Sequence, residues 1–199
     1  MNTKIFEDNI LSRNDIAVRY VFQKMFSPQG TLVAVECLSR FDNLSISPED
    51  FFRHATAAVR ERIFLEQLAL IEKHKAWFLR NHISATINVD DHILNLLRQK
   101  DIKAKGSGYA GINAIRGYHF DYVKIDKDFF WHLMRKESGR QLMDALVTFL
   151  SRNHHNVIIE GVESEAHKEW LQGMEWFAIQ GHYWREVSIE QLVADDIAM

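Results

Sequence analysis

The chain has 199 residues, which suits one domain of the larger kind, and 47% of them are apolar, which excludes a disordered chain. A formal net charge of -3 gives no basic footprint for nucleic acid. The only cysteine, Cys37, excludes an intrachain disulfide, and no stretch nears the ~20 apolar residues of a membrane span. Met1 to Ser12 has no uninterrupted apolar run of the kind a signal peptide needs. The expectation is a single domain over residues 1–199, cytoplasmic, with no membrane and no direct nucleic-acid partner.

Val18 to Phe26 reads as a strand, Ser27-Pro28-Gln29-Gly30 as a turn, and Thr31 to Leu38 as a returning strand. Glu36 interrupts that apolar strand, and a carboxylate there needs a partner, a metal or water. Ser47-Pro48-Glu49-Asp50 carries an N-cap, a proline at the first helical position and acids in the first turn. Phe51 to about Asn81 is amphipathic and predicts two helices, with Ile63, Ala69, Leu70, Trp77 and Phe78 facing a core. Ala85 to Val89 is a short strand, and Asp90 caps a helix running through Ile93, Leu94, Leu96 and Leu97.

Tyr122 to Asp126 is another strand, with Lys124 inside it. Ser138 opens a helix whose Leu142, Leu146, Phe149 and Leu150 share one face. Val157 to Glu163 is a strand ending in acids, Ser164 starts the next helix, and Trp176 to Ile179 is a last strand. Ser188 with Gln191 forms a capping box for the final helix. Strands alternating with helices predict βαβ units and a mainly parallel sheet. The histidines show no ligand spacing. Phe129-Phe130-Trp131 and Trp176-Phe177 are interface candidates that more simply bury in the wall of the fold.

Glu36, Asn88, Lys124, Glu160 and Gln180 each fall at or near the C-terminal end of a different strand. Alone, each is a cap or an edge residue; together they mark the face where β/α barrels build their sites. With them come recognisable motifs: Glu36-Cys37-Leu38-Ser39-Arg40, Thr86-Ile87-Asn88-Val89, Gly106-Ser107-Gly108-Tyr109, Lys124-Ile125-Asp126, Glu160-Gly161-Val162-Glu163 and Gln180-Gly181-His182. Their order and spacing resemble the EAL family of cyclic di-GMP phosphodiesterases.

That resemblance implies an α/β fold, the EAL-type (β/α)8 barrel, and a chemistry in which two divalent cations, Mg²⁺ or Mn²⁺, activate water against a phosphodiester. Carried over, Glu36, Asn88 and Glu160 stand where metal ligands stand. Lys124 and Gln180 would orient water, Glu163 would support the acids around it, and Arg40 would contact a substrate phosphate.

The pattern fails between Asn88 and Tyr109. The family places a Glu-Leu-Thr-Glu strand and an Asp-Asp-bearing strand there, but here Leu97 to Lys105 runs directly into Gly106, with Asp101 as the only acid. The barrel is therefore incomplete, or has a further segment between Lys105 and Gly106 that these residues do not supply. Lys24, Cys37, Thr56 and His182 also replace family residues. The expectation is a degenerate, non-catalytic domain in which Glu36, Asn88, Glu160, Lys124, Gln180 and Glu163 are relics, needing no metal or cofactor and not binding cyclic di-GMP. It resembles the small single-domain regulators of the family that bind FlhD of the flagellar activator FlhDC. The alternatives are an active phosphodiesterase using Mg²⁺ or Mn²⁺, or a cyclic di-GMP receptor holding the nucleotide through Arg40.

Overall fold

A computed structural model describes residues 16–42, 44, 46–90, 92–93, 121–136 and 138–194. The Gly106 to Tyr109 motif, Asp101, the Lys105–Gly106 junction and the helix positions Leu94, Leu96 and Leu97 lie outside the described residues. The chain forms two compact units. The first draws on described residues up to Phe22, from Glu36 to Lys103 and from Val187 onward; the second draws on Gln23–Val35 and Ala104–Glu186. Strands β1 (Arg19–Phe26) and β2 (Leu32–Arg40) pass through both.

In the first unit, β3 (Ser84–Ile87) neighbours β2. Helix α1 (Pro48–His54) starts as the sequence predicts: the Ser47 hydroxyl accepts from the Asp50 backbone N–H at 3.0 Å, with Pro48 in the first turn. Ser47→Ala is expected to cost about 1 kcal/mol. The check is a lower urea midpoint with an unchanged slope.

The long amphipathic stretch forms α1, α2 (Ala57–Lys73) and α3 (Lys75–Arg80), not two helices. Thr56 breaks it by adopting an extended backbone and capping Val59, and His74 breaks it again with non-helical backbone angles. The buried stripe of α2 is Val59, Ile63 and Gln67, while Ala69, Leu65 and Leu68 face solvent, so the predicted core role of Ala69 does not hold. Phe41, Phe51, Ala55, Val59 and Ile63 make this unit's core, with the rings of Phe41 and Phe51 stacked 3.9 Å apart. Trp77 and Phe78 are buried as predicted. Helix α7 (Ile189–Ala194) follows the predicted capping box, in which the Ser188 N–H donates to Gln191 and the Gln191 N–H to Ser188.

The second unit contains β4 (Tyr122–Ile125), α4 (Lys127–Met134), α5 (Gly139–Arg152), β5 (Asn156–Ile159), α6 (Glu165–Leu171) and β6 (Ala178–Ile179). The strand order in this unit is β1-β6-β5-β4. β4, β5 and β6 are parallel, as βαβ connections require, whereas β1 meets β6 antiparallel with Phe26 opposite Ile179. Antiparallel β1 departs from an all-parallel barrel; the tight turn at Ser27 to Thr31 returns the chain directly into β2.

Phe130, Leu133, Met143, Val147, Leu150, Val157, Ile159 and Leu171 fill the core between these elements. The face predicted for α5 is only partly correct. Met143, Val147 and Leu150 point inward, while Leu142 and Phe149 are exposed. The apolar band of this helix is wider than its packed stripe, and periodicity alone does not say which part of a broad band meets a neighbour. Trp131 and Trp176 are half-buried and donate their indole N–H groups to Gly161 O (2.8 Å) and Leu171 O (3.0 Å). They brace the fold, and of the two aromatic clusters Phe129 is the exposed member. No helix among the described residues is long and apolar enough to cross a membrane.

Candidate functional site

The residues singled out in the sequence fall into two groups, one in each unit. In the first unit Glu36 lies on β2 and is buried, and Asn88 follows the end of β3. The pleat of β2 places Glu36 and Arg40 on one face and Cys37 and Ser39 on the other. The Asn88 amide donates to Glu36 Oε1 at 2.8 Å. Arg40 donates to the Ser39 carbonyl at 3.0 Å and lines a cavity. The neighbouring Cys37 thiol is buried, and burial pushes it up to about 12, so it stays protonated and is no nucleophile near neutrality.

In the second unit Lys124 on β4 and Glu160, just past the end of β5, form an ion pair, with side chains 22% and 24% exposed. The parallel register explains this pairing, because Lys124 lies opposite Ile158 and Glu160 extends the same strand by two residues. Gln180 follows β6, is buried, and donates through Nε2 to Gln23 Oε1 (3.2 Å) and Glu160 Oε1 (3.4 Å).

Gln23 belongs to Phe22-Gln23-Lys24-Met25, which stands where the family has a Tyr-Gln-Pro-Ile pattern, but sequence reasoning gave it no site role; it is a buried polar side chain on β1. Glu163 stands apart: it is half-exposed, and its Oε1 pairs with His182 Nδ1 at 3.1 Å.

Among the described residues the side chains are not arranged as a two-cation centre. Asn88 turns its N–H side toward Glu36, so the amide presents a donor where a ligand presents an oxygen. An ammonium group stands against Glu160. Among the described residues no three His, Cys, Asp or Glu side chains gather closely enough to hold an ion. Each acid is instead satisfied by a donor of this chain.

The strand and helix order is that of an EAL-like α/β fold, with six strands among the described residues. The chain belongs to the EAL domain family: the family's model matches residues 84–186. It is 25% identical to cyclic di-GMP phosphodiesterase PdeH of Escherichia coli strain K12, over 82% of this chain and 81% of that protein. That alignment runs over 209 residues, whereas 82% of 199 is about 163, so roughly 46 aligned positions have no counterpart here. The chain is 31% identical over 88 residues to the anti-FlhC(2)FlhD(4) factor YdiV of Salmonella choleraesuis strain SC-B67, covering 44% of this chain and 37% of that one. Its fold matches the crystal structure of the EAL-like domain protein YdiV with a TM-score of 0.76 at 18% identity, over 89% of this chain and 95% of that chain.

Proposed function

We propose that this chain is a non-catalytic EAL-like regulator that acts by binding a protein, and that the partner is FlhD of the flagellar activator FlhDC, so that flagellar gene expression is repressed. The observation that carries the non-catalytic reading is the internal pairing of the two acids, Glu36 with Asn88 and Glu160 with Lys124. A carboxylate already hydrogen-bonded by its own chain serves the fold and offers little to a cation. The sequence adds support, since Asp101 is the only acid between Leu97 and Tyr109. The choice of FlhD rests on the 31% identity to the anti-FlhC(2)FlhD(4) factor YdiV. No metal or cofactor is needed for this function.

A second reading has one specific observation behind it: the alignment with the phosphodiesterase PdeH covers 82% of the chain. Under that reading the protein would hydrolyse cyclic di-GMP with Mg²⁺ or Mn²⁺. One variant separates the two. Glu36→Ala removes the acceptor of the Asn88 amide, so a stability loss of about 1–2 kcal/mol is expected, with partner affinity changed no more than about twofold. Neither wild type nor variant should release linear dinucleotide above buffer with either cation. Hydrolysis by wild type that Glu36→Ala abolishes would establish the phosphodiesterase instead.

A further inference from the structure

Where the chain passes from β5 into α6, one histidine nitrogen stands between a backbone donor and a backbone acceptor. His167 Nδ1 lies 3.3 Å from the Glu163 nitrogen and 3.1 Å from the Gly161 carbonyl oxygen. With its lone pair free, Nδ1 accepts from the Glu163 N–H; carrying a proton, it donates to the Gly161 carbonyl. It cannot do both at once, so the two contacts belong to two protonation states of the ring.

The surroundings hold the ring for either role. His167 is half-buried, and its ring meets that of fully buried Phe130 nearly perpendicularly, with centroids 5.4 Å apart. The His167 N–H donates to the Ser164 hydroxyl at 3.3 Å, so neutral His167 exchanges two bonds with the residues ahead of α6, in the manner of a capping box. Gly161 O already accepts from Trp131 Nε1 at 2.8 Å and keeps a lone pair for a second donor. Val162 is pinned by the Gln180 carbonyl and the Tyr183 N–H, which leaves Glu163 as the residue able to respond. Of the charged groups around this point, Glu163 pairs with His182 at 3.1 Å. Lys127 of α4 packs against Gly161, with its Nζ over the Trp131 ring. Glu165 and Lys168 of α6 pair with each other at 2.9 Å.

We propose that His167 is a proton-operated latch between β5 and α6: neutral, it holds the Glu163 N–H, and protonated, it turns to the Gly161 carbonyl and releases Glu163. The protonated state is satisfied as well, because a cationic ring donates to the carbonyl in a charge-assisted bond. It cannot keep the Glu163 N–H, since two donors would then face each other. The same acidification charges His182 and strengthens its hold on the Glu163 carboxylate. Glu163 thereby exchanges a main-chain tether for a side-chain ion pair, three residues beyond Glu160.

The test follows the Glu163 amide of the full chain by NMR and hydrogen exchange as pH falls from about 8 to about 5, the span in which histidines titrate. The Glu163 signal is expected to move with the same midpoint as the His167 ring signals. Its exchange protection, corrected for the intrinsic pH dependence of exchange, should fall about tenfold as the hydrogen bond is lost. His167→Gln keeps a neutral acceptor but removes the titration, so its Glu163 amide should hold one shift and one protection across the range. His182→Gln removes only the side-chain ion pair and should leave the transition in place. A Glu163 amide that does not respond, that follows a midpoint other than that of His167, or that responds equally in His167→Gln would overturn the proposal. So would loss of the transition in His182→Gln, which would place its cause in the ion pair. Should His167→Gln fail to fold, the midpoints in the wild type and the His182→Gln transition decide.

Discussion

Replacing Gly181 by alanine is expected to lower the melting temperature by roughly 10 °C. Gly181 follows Gln180 at the end of β6, where the Gln180 carbonyl accepts from the Val162 N–H at 3.0 Å and the Tyr183 N–H donates to the Val162 carbonyl at the same distance. A Cβ at Gly181 would lie 2.1 Å from Val162 O and 2.4 Å from Val162 N. Those are backbone atoms and cannot rotate away, so one of the two hydrogen bonds must open or the strand end must shift. The cost is about 3 kcal/mol, at the upper end of overpacking penalties.

The control is Gly173→Ala. Gly173 has φ +85 but nothing within 4 Å of a would-be Cβ. It should lose only the ~1–2 kcal/mol of a left-handed residue. Thermal unfolding of both variants checks the argument, and equal melting temperatures would mean that close approach at Gly181 is not what selects glycine. Because Gln180 reaches Gln23 and Glu160 from this strand end, Gly181→Ala should also loosen that network.

Purified FlhD is expected to co-elute with this chain as a stoichiometric complex across a salt series, while the free chain leaves promoter DNA unshifted. The net charge of -3 provides no general attraction for a phosphate backbone, so the proposed repression is expected to act through the protein partner. Such an interface rests on a buried apolar centre with a polar rim and should weaken only modestly with salt, whereas DNA binding would weaken steeply. Failure of FlhD to co-elute at any salt would refute the partner assignment. A sub-micromolar gel shift by the free chain would refute the mechanism even if FlhD binds.

The strands and most helix starts were legible because their causes are local. Ser47 and Ser164 cap the helices they precede, and Ser188 and Gln191 exchange the two bonds of a capping box, all from signals a few residues long. Glu36, Asn88, Lys124, Glu160 and Gln180 could be picked out because a polar residue at the end of a β-branched run is conspicuous in a single strand. Their partners could not be read so directly. Asn88 and Glu36 are 52 residues apart and Gln180 and Gln23 are 157 apart, and which side chain meets which depends on strand register.

The sequence by itself determined the family, the alternation of strands and helices, the caps, and the lack of any acid but Asp101 between Leu97 and Tyr109. Tertiary structure alone decided that Glu36 accepts from an amide and Glu160 pairs with an ammonium, that Leu142 and Phe149 face outward, and that Gly181 has no room for a methyl group. The reason is the range of the forces. Capping and periodicity act over a few residues of one chain segment, while the satisfaction of a buried charge and the fit of a Cβ are set by atoms that only packing brings together.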